Sequence, residues 1–171
     1  MLRIRLDGDL QGKGRPRFDT RTGRAYTPGQ TRTYESDLRR TAQHAMRTAG
    51  LSVITGPVRV CLLAEEEVPE SWARWKRDAA LLGLIRPTVK PDADNIIKML
   101  DALNSVKHKI AGKQVTEDVV WSDDAVVVEI QFEKHYSVTP GLTVTVTPLN
   151  AAPAQITRAN QLPNGGATCA S

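Results

Sequence analysis

Between Gly29 and Gly50 the chain runs through twenty residues with neither glycine nor proline. From about Thr31 to Ala49 this stretch predicts a helix, stopped by Gly50. Its polar face carries Arg32, Arg39, Arg40 and Arg47. Runs of strand character flank it at a distance. Leu2-Arg3-Ile4-Arg5-Leu6 alternates apolar and basic residues, as a half-buried strand does. Val58–Leu63 follows the turn Gly56-Pro57. Ala125–Phe132 and Leu142–Thr147 are β-rich and are expected to pair as an antiparallel hairpin. One long helix set among such strands excludes an all-helical or all-β chain. An α+β fold, a small mixed sheet packed with helices, is preferred to a doubly wound sheet.

With 171 residues the chain fits one domain. A domain of that size buries roughly 70% of the surface its unfolded chain exposes, so it needs no disulfide or structural metal. Gly8 to Gln30 is rich in Gly, Pro, Thr and Arg and reads as loop. Ser71 to Leu82 predicts a short helix with Ser71 as its N-cap. Asp92 to Val106 predicts another, because Ile96, Ile97, Leu100 and Leu103 keep helical spacing. Glu65-Glu66-Glu67 reads as a solvated loop, and Lys107 to Glu117 as a loop or ribbon. Residues 1–149 are expected to form the domain, and the polar stretch 150–171 a disordered tail.

Several function classes drop out early. No apolar run approaches the roughly 18 residues of a membrane span. The charged start MLRIRLDGDL lacks a secretory signal's apolar stretch, so a soluble, cytoplasmic protein is expected. Two cysteines without a pairing pattern, Cys61 in an apolar run and Cys169 in the tail, support neither a disulfide framework nor a zinc cluster. Charge is uneven: residues 1–50 hold eleven Lys and Arg against five Asp and Glu, while the remainder is slightly acidic. A basic third joined to an acidic remainder suits a polyanion partner, although solvated surface charge explains it too.

The densest chemical signal is Lys90-Pro91-Asp92-Ala93-Asp94-Asn95-Ile96-Ile97-Lys98. Two carboxylates this close cost energy unless something positive sits between them. Helix capping is the plain alternative, but capping needs only one Asp. Lys98 lies four residues after Asp94, and Asp101 seven after, so a helix would place all three on one face. An ordinary ion pair accounts for that spacing; so does a lysine beside a metal and a phosphate. Trp121-Ser122-Asp123-Asp124 supplies a second acidic cluster. Three or four carboxylates converging from a helix start and a strand start would suit Mg²⁺, which takes oxygen ligands, waters and substrate phosphate. Such a site can activate water for phosphodiester hydrolysis. His44, His108 and His135 are scattered without HxxxH or HExxH, and no EF-hand, Walker A or GxGxxG pattern occurs. The loop Gly12-Lys13-Gly14-Arg15-Pro16-Arg17-Phe18, followed by Arg21, Arg24 and Tyr26, offers cations for phosphates and glycines for close backbone approach.

These residues resemble the RusA family of Holliday junction resolvases, especially its phage and prophage members. The resemblance runs over about residues 10–136. It is carried in order by Lys13-Gly14-Arg15-Pro16-Arg17-Phe18, Tyr26-Thr27-Pro28 and Pro69-Glu70-Ser71-Trp72. It continues through Lys90-Pro91-Asp92-Ala93-Asp94-Asn95, Lys98, Asp101-Ala102-Leu103-Asn104 and Trp121-Ser122-Asp123-Asp124. It implies a small RusA-like α+β homodimer, at work in a bacterial or phage-infected cell. Such a dimer binds four-way DNA junctions and nicks two strands symmetrically with Mg²⁺ or Mn²⁺. The family's metal-site carboxylates match Asp92, Asp94 and Asp124, with Asp123 auxiliary, and its essential lysine matches Lys98. Phosphate contacts would come from Lys13, Arg15, Arg17, Arg21, Arg24 and Lys90.

Two departures stand out. The family usually has one more residue between this lysine and the following Asp-Ala-Leu. At α-helical pitch that loss turns lysine or aspartate by about 100° from its usual face. The stretch between Asn104 and Trp121 is longer than usual, and Lys107, Lys109 and Lys113 make it a candidate DNA-contacting hairpin. Two other readings stay open: a catalytically impaired junction-binding protein of the same fold, and a nucleotide phosphohydrolase.

Overall fold

The computed structural model describes residues 1–149. The expected tail over 150–171, and Cys169 with it, lies outside the described residues. Strand β1 (Leu2–Asp7) follows its alternation: Leu2 and Ile4 are buried and Arg3 is exposed. The segment read as loop over Gly8 to Gln30 holds a small antiparallel hairpin, β2 (Arg17–Asp19) with β3 (Arg24–Tyr26). Asp19 folds its turn. The Asp19 carboxylate accepts from Arg21 N–H at 2.8 Å, and its carbonyl accepts from Gly23 N–H at 2.8 Å. Gly23 has φ +65°, a conformation open to glycine at little cost.

Helix α1 (Gly29–Thr48) buries Thr31, Leu38, Ala42 and Met46 on one stripe. Gly50 ends it as expected, at φ +61°. Gly50 N–H donates to Arg47 O at 3.1 Å and Leu51 N–H to Met46 O at 3.0 Å, the paired bonds of a Schellman stop. Strand β4 (Val58–Glu67) runs on through the acidic triplet, which is therefore strand and not loop. Its carboxylates have partners: Glu65 pairs with Arg5, and Glu66 with Lys134.

Helix α2 spans Arg74–Leu81, shorter than expected, with Ala73 and not Ser71 at its N-cap. Ser71 is passed over because the chain first makes a turn, Trp72 N–H donating to Pro69 O at 3.1 Å. The Trp72 ring then meets Tyr136 edge-on, 5.2 Å between centroids, with Lys76 Nζ 3.8 Å above the Trp72 ring.

The helix expected over Asp92 to Val106 divides. Helix α3 occupies Ala93–Ile97, and a tighter 3₁₀ segment continues it over Lys98–Leu103. Strand β5 (Val106–Ile110) already begins at the expected helix end and pairs with β6 (Lys113–Glu117) as a two-stranded ribbon. Strands β7 (Val127–Ser137) and β8 (Gly141–Pro148) complete the chain's described part.

The main sheet runs β1-β8-β4-β7. β7 and β8 are therefore not a hairpin, contrary to the sequence expectation. β4 lies between them, antiparallel to β8 and parallel to β7. β4 takes one of the two inner positions: Val58, Val60, Leu62 and Ala64 are all buried on one face. The same face receives Ile4, Val144 and Val146 from the sheet, and Leu38, Met99, Leu103 and Trp121 from the layer above. The opposite face carries Arg3, Arg59 and Thr145, and no helix among the described residues packs on it. Cys61 belongs to that face. Although it lies in an apolar run, it is only half-buried, its Sγ 3.7 Å from Gln131 Oε1. The result is a single α+β domain, a mixed sheet with helices on one side, as expected. No helix among the described residues is long and apolar enough to cross a membrane.

Candidate active site

Asp92 stands at the N-cap position of α3 with extended backbone, and its carboxylate makes no capping bond. Its carbonyl does the local work, accepting from Asn95 N–H and Ile96 N–H at 3.1 Å each. Capping therefore does not explain the Asp92 side chain. Asp94, in the first turn, accepts from Lys98 Nζ at 2.9 Å. That hydrogen bond is the main reason the Asp94 carboxyl sits below the usual carboxylate range; burial opposes it, and the Lys98 charge adds to it.

The shortened Lys98-to-Asp101 spacing has a structural answer. Winding changes at Lys98 to three residues per turn. Residues i and i+3 eclipse at that pitch, so Lys98 and Asp101 stay on one side of the segment. Asp101 Oδ2 then meets Lys13 Nζ at 2.6 Å, and Glu35 Oε1 lies 3.3 Å from the same ammonium.

The loop after β1 closes on the carboxylate turn. Lys13 N–H donates to Asn95 O at 2.8 Å. Gly12 packs so tightly that a Cβ there would lie 2.8 Å from Pro91 Cβ and 3.0 Å from Asn95 Cβ. Gly14 N–H donates to the buried Thr31 Oγ1 at 3.2 Å, which fixes the other end of the loop to α1. Between loop and turn lies a cavity of about 320 Å³. Asp92, Asp94 and Lys98 line one wall, and Lys13 and Arg15 another. A neighbouring cavity of about 340 Å³ continues past Lys90 and Pro91.

Other expected site residues lie elsewhere. Asp123 precedes a single 3₁₀ turn, Asp124–Val126, and its Oδ1 caps that turn by accepting from Ala125 N–H at 2.9 Å. Asp124 is exposed at the root of β7 and does not line the cavity. Among the described residues no three His, Cys, Asp or Glu side chains stand close enough to hold a metal. The expected convergence of three or four carboxylates is thus a pair. Asp94 is satisfied within its own segment by Lys98, and Asp123 by its own turn, so neither is drawn toward the other cluster. The two segments are nevertheless bound at their bases. Buried Trp121 donates from Nε1 to Asn104 Oδ1 at 2.5 Å, and its carbonyl accepts from Ser105 N–H at 2.9 Å.

The cavity wall offers carboxylate oxygens and no sulfur or imidazole. That donor set matches a hard cation such as Mg²⁺, which one or two carboxylates with waters and phosphate can hold. Arg17, Arg21 and Arg24 are exposed on the β2–β3 hairpin. Phe18 and Tyr26 are exposed on the same hairpin, and Tyr26 sits opposite Arg17 in the ladder. The β5–β6 ribbon sorts its side chains by face. Lys107 and Lys109 share one face with Gln114 and Thr116, and Ile110 and Val115 lie on the other.

A small α+β protein that sets paired carboxylates and cations around one open cavity has the equipment of a phosphodiester-handling protein. The chain belongs to the RusA family of endodeoxyribonucleases, whose description, Endodeoxyribonuclease RusA, matches residues 7–147. It is also 30% identical to the uncharacterized protein YqaN of Bacillus subtilis (strain 168) over 156 residues, covering 88% of this chain and 98% of that protein.

Proposed function

We propose that this protein is a Mg²⁺-dependent endonuclease that resolves four-way DNA junctions by paired, symmetric nicks. One observation carries the reading: Asp92, Asp94 and Lys98 share a single cavity with Lys13 and Arg15. Asp92 and Asp94 would hold the cation, with Asp124 joining from the root of β7 and Asp123 auxiliary. When bound, the cation supplies positive charge at the scissile phosphate and makes a nearby water more acidic. Mn²⁺ can take the same oxygen ligands. Lys98 keeps Asp94 ionised and brings an ammonium to the phosphate that lies against it. Arg15, Arg17, Arg21, Arg24 and Lys90 bind the sugar–phosphate backbone, which sets position and not sequence. The ribbon adds Lys107, Lys109 and Lys113. The face bearing Lys107 and Lys109 holds hydrogen-bond donors and no carboxylate, as a phosphate-facing surface requires. A two-fold symmetric junction needs two such sites, which a homodimer provides.

The test is cleavage of an end-labelled synthetic junction with and without Mg²⁺, beside linear duplex of the same sequence and the Asp94→Asn variant. Paired nicks on the junction alone, dependent on Mg²⁺ and lost in the variant, are the expected result. Binding without cleavage in Mg²⁺ or Mn²⁺ would replace the reading with that of an impaired junction-binding protein. Hydrolysis of nucleotides that survives neutralising Arg15 and Arg17 would replace it with a phosphohydrolase.

A further inference from the structure

Lys134 on β7 is a lysine turned inward. Its side chain is 12% exposed and that of its partner Glu66 is 16% exposed, with Nζ 3.2 Å from Glu66 Oε1. The same Nζ donates to Pro91 O at 3.1 Å and to Val89 O. Two of the ammonium's three donors go to these carbonyls, and Glu66 Oε1 stands beside it as a counter-charge without a hydrogen bond. Both carbonyls flank Lys90, and Pro91 directly precedes Asp92. The far side of the same turn is held by Lys13 N–H on Asn95 O and by the tight seat of Gly12. The carboxylate turn is thus gripped from the sheet on one side and from the N-terminal loop on the other.

Placing an ammonium out of water is expensive unless a counter-charge and good acceptors receive it. Glu66 supplies the counter-charge. A buried methionine would fill the same volume at lower cost, so the ammonium has to be explained by what it bonds. It bonds two carbonyls of a bent segment, Val89 to Pro91, that lies outside any helix or strand.

We propose that Lys134 is a positioning residue. Anchored by Glu66, it holds the Val89–Pro91 backbone at the height that turns Asp92 and Asp94 toward the cavity. The inference rests on the reading of those two carboxylates as the cation site.

The experiment compares wild type with Lys134→Met and Glu66→Gln by three measurements: amide hydrogen exchange, Mn²⁺ affinity of the free protein by titration calorimetry, and junction cleavage. In Lys134→Met, exchange at Asn95 and Ile96 should quicken at least tenfold while the β4–β8 amides keep their protection. Mn²⁺ affinity should fall about tenfold. The maximal cleavage rate should fall while junction affinity without metal stays unchanged. Glu66→Gln keeps the ammonium without its counter-charge and should move all three the same way by a smaller factor. It also decides the matter if the methionine variant does not fold. Unchanged exchange at Asn95 and Ile96 would overturn the strut, whatever the metal does. Wild type that binds no Mn²⁺, with exchange still quickened in the variants, would overturn the cation-site reading and leave the strut standing.

Discussion

Lys13 Nζ stands 2.6 Å from Asp101 Oδ2 and 3.3 Å from Glu35 Oε1, so a residue of the basic loop spends its charge on the protein itself. Burial alone would lower the Lys13 ammonium, but the Asp101 hydrogen bond and the charges of Asp101 and Glu35 outweigh it and hold the group above its ordinary range. A raised folded pKa gives stability that is fully present below the unfolded value and lost as pH rises through the folded one. Lys13→Ala should therefore cost about 1 kcal/mol at neutral pH. That difference from wild type should shrink in strongly alkaline buffer, as urea titrations at both pH values would show. Because the ammonium is already paired, the variant should leave the salt dependence of junction binding nearly intact. Arg15→Ala, by contrast, should reduce the slope of log affinity against log salt by about 1.

Asp94 is held below the usual carboxylate range chiefly by its bond from Lys98. A depressed folded pKa means the ionised form persists to lower pH than in the unfolded chain, and its contribution is lost only as pH falls through the folded value. Lys98→Met should let the Asp94 carboxyl rise toward the ordinary range. Carbon-detected NMR titration of the metal-free protein reads this directly. An Asp94 midpoint that does not rise in the variant contradicts the pairing.

Gly12 has no room for a side chain. A Cβ would lie 2.8 Å from Pro91 Cβ, closer than such atoms approach, and the obstacle belongs to a proline ring that cannot swing away. Gly12→Ala should push the loop off the carboxylate turn, costing about 1–3 kcal/mol as overpacking does. It should cut cleavage at least tenfold while the circular dichroism spectrum stays native. A Gly8→Ala control meets no neighbouring atom, and only its left-handed backbone, φ +107°, counts against it. It should leave cleavage unchanged, whatever it costs in stability.

Trp121 is fully buried and bonds Asn104 through Nε1. Trp121→Phe keeps most of the ring but strands the Asn104 acceptor, a loss of about 1–3 kcal/mol. Trp121→Ala should cost about 3–5 kcal/mol through the cavity it leaves. Chemical denaturation of both variants tests the order. Equal costs would mean that the Nε1–H bond, and not the ring's volume, joins the two acidic segments.

The sequence was most legible where one local rule decided the outcome. Alternation set the two faces of β1, Gly50 stopped α1, and the proline before Asp92 marked where α3 begins. The cavity pair Asp92 and Asp94, with Lys98 one turn on, was readable for the same reason. Strand order was not, because it is a contest among distant segments. β7 and β8 are neighbours in sequence, yet β4 buries a whole face and takes partners on both sides. The change of winding at Lys98 was hidden as well, since Lys-Met-Leu-Asp-Ala-Leu suits either helical pitch. Lys134 gave no signal in sequence. A lysine in a strand reads as solvent-facing until the loop that covers it is known.

The placing of β8 has a consequence for how the protein comes into being. β8 is the last of the described strands to be synthesised, and it lies inside the sheet, the sole ladder partner of β1 among the described residues. Contacts so far apart in sequence form late and cannot form on a nascent chain that lacks its final stretch. Until β8 leaves the ribosome, no ladder joins β1 to β4 in the sheet. A half-made chain already carries its aspartates and arginines, but no framework that sets them around one cavity. Completion of that cavity is therefore tied to the one strand that joins β1 to β4 in the sheet.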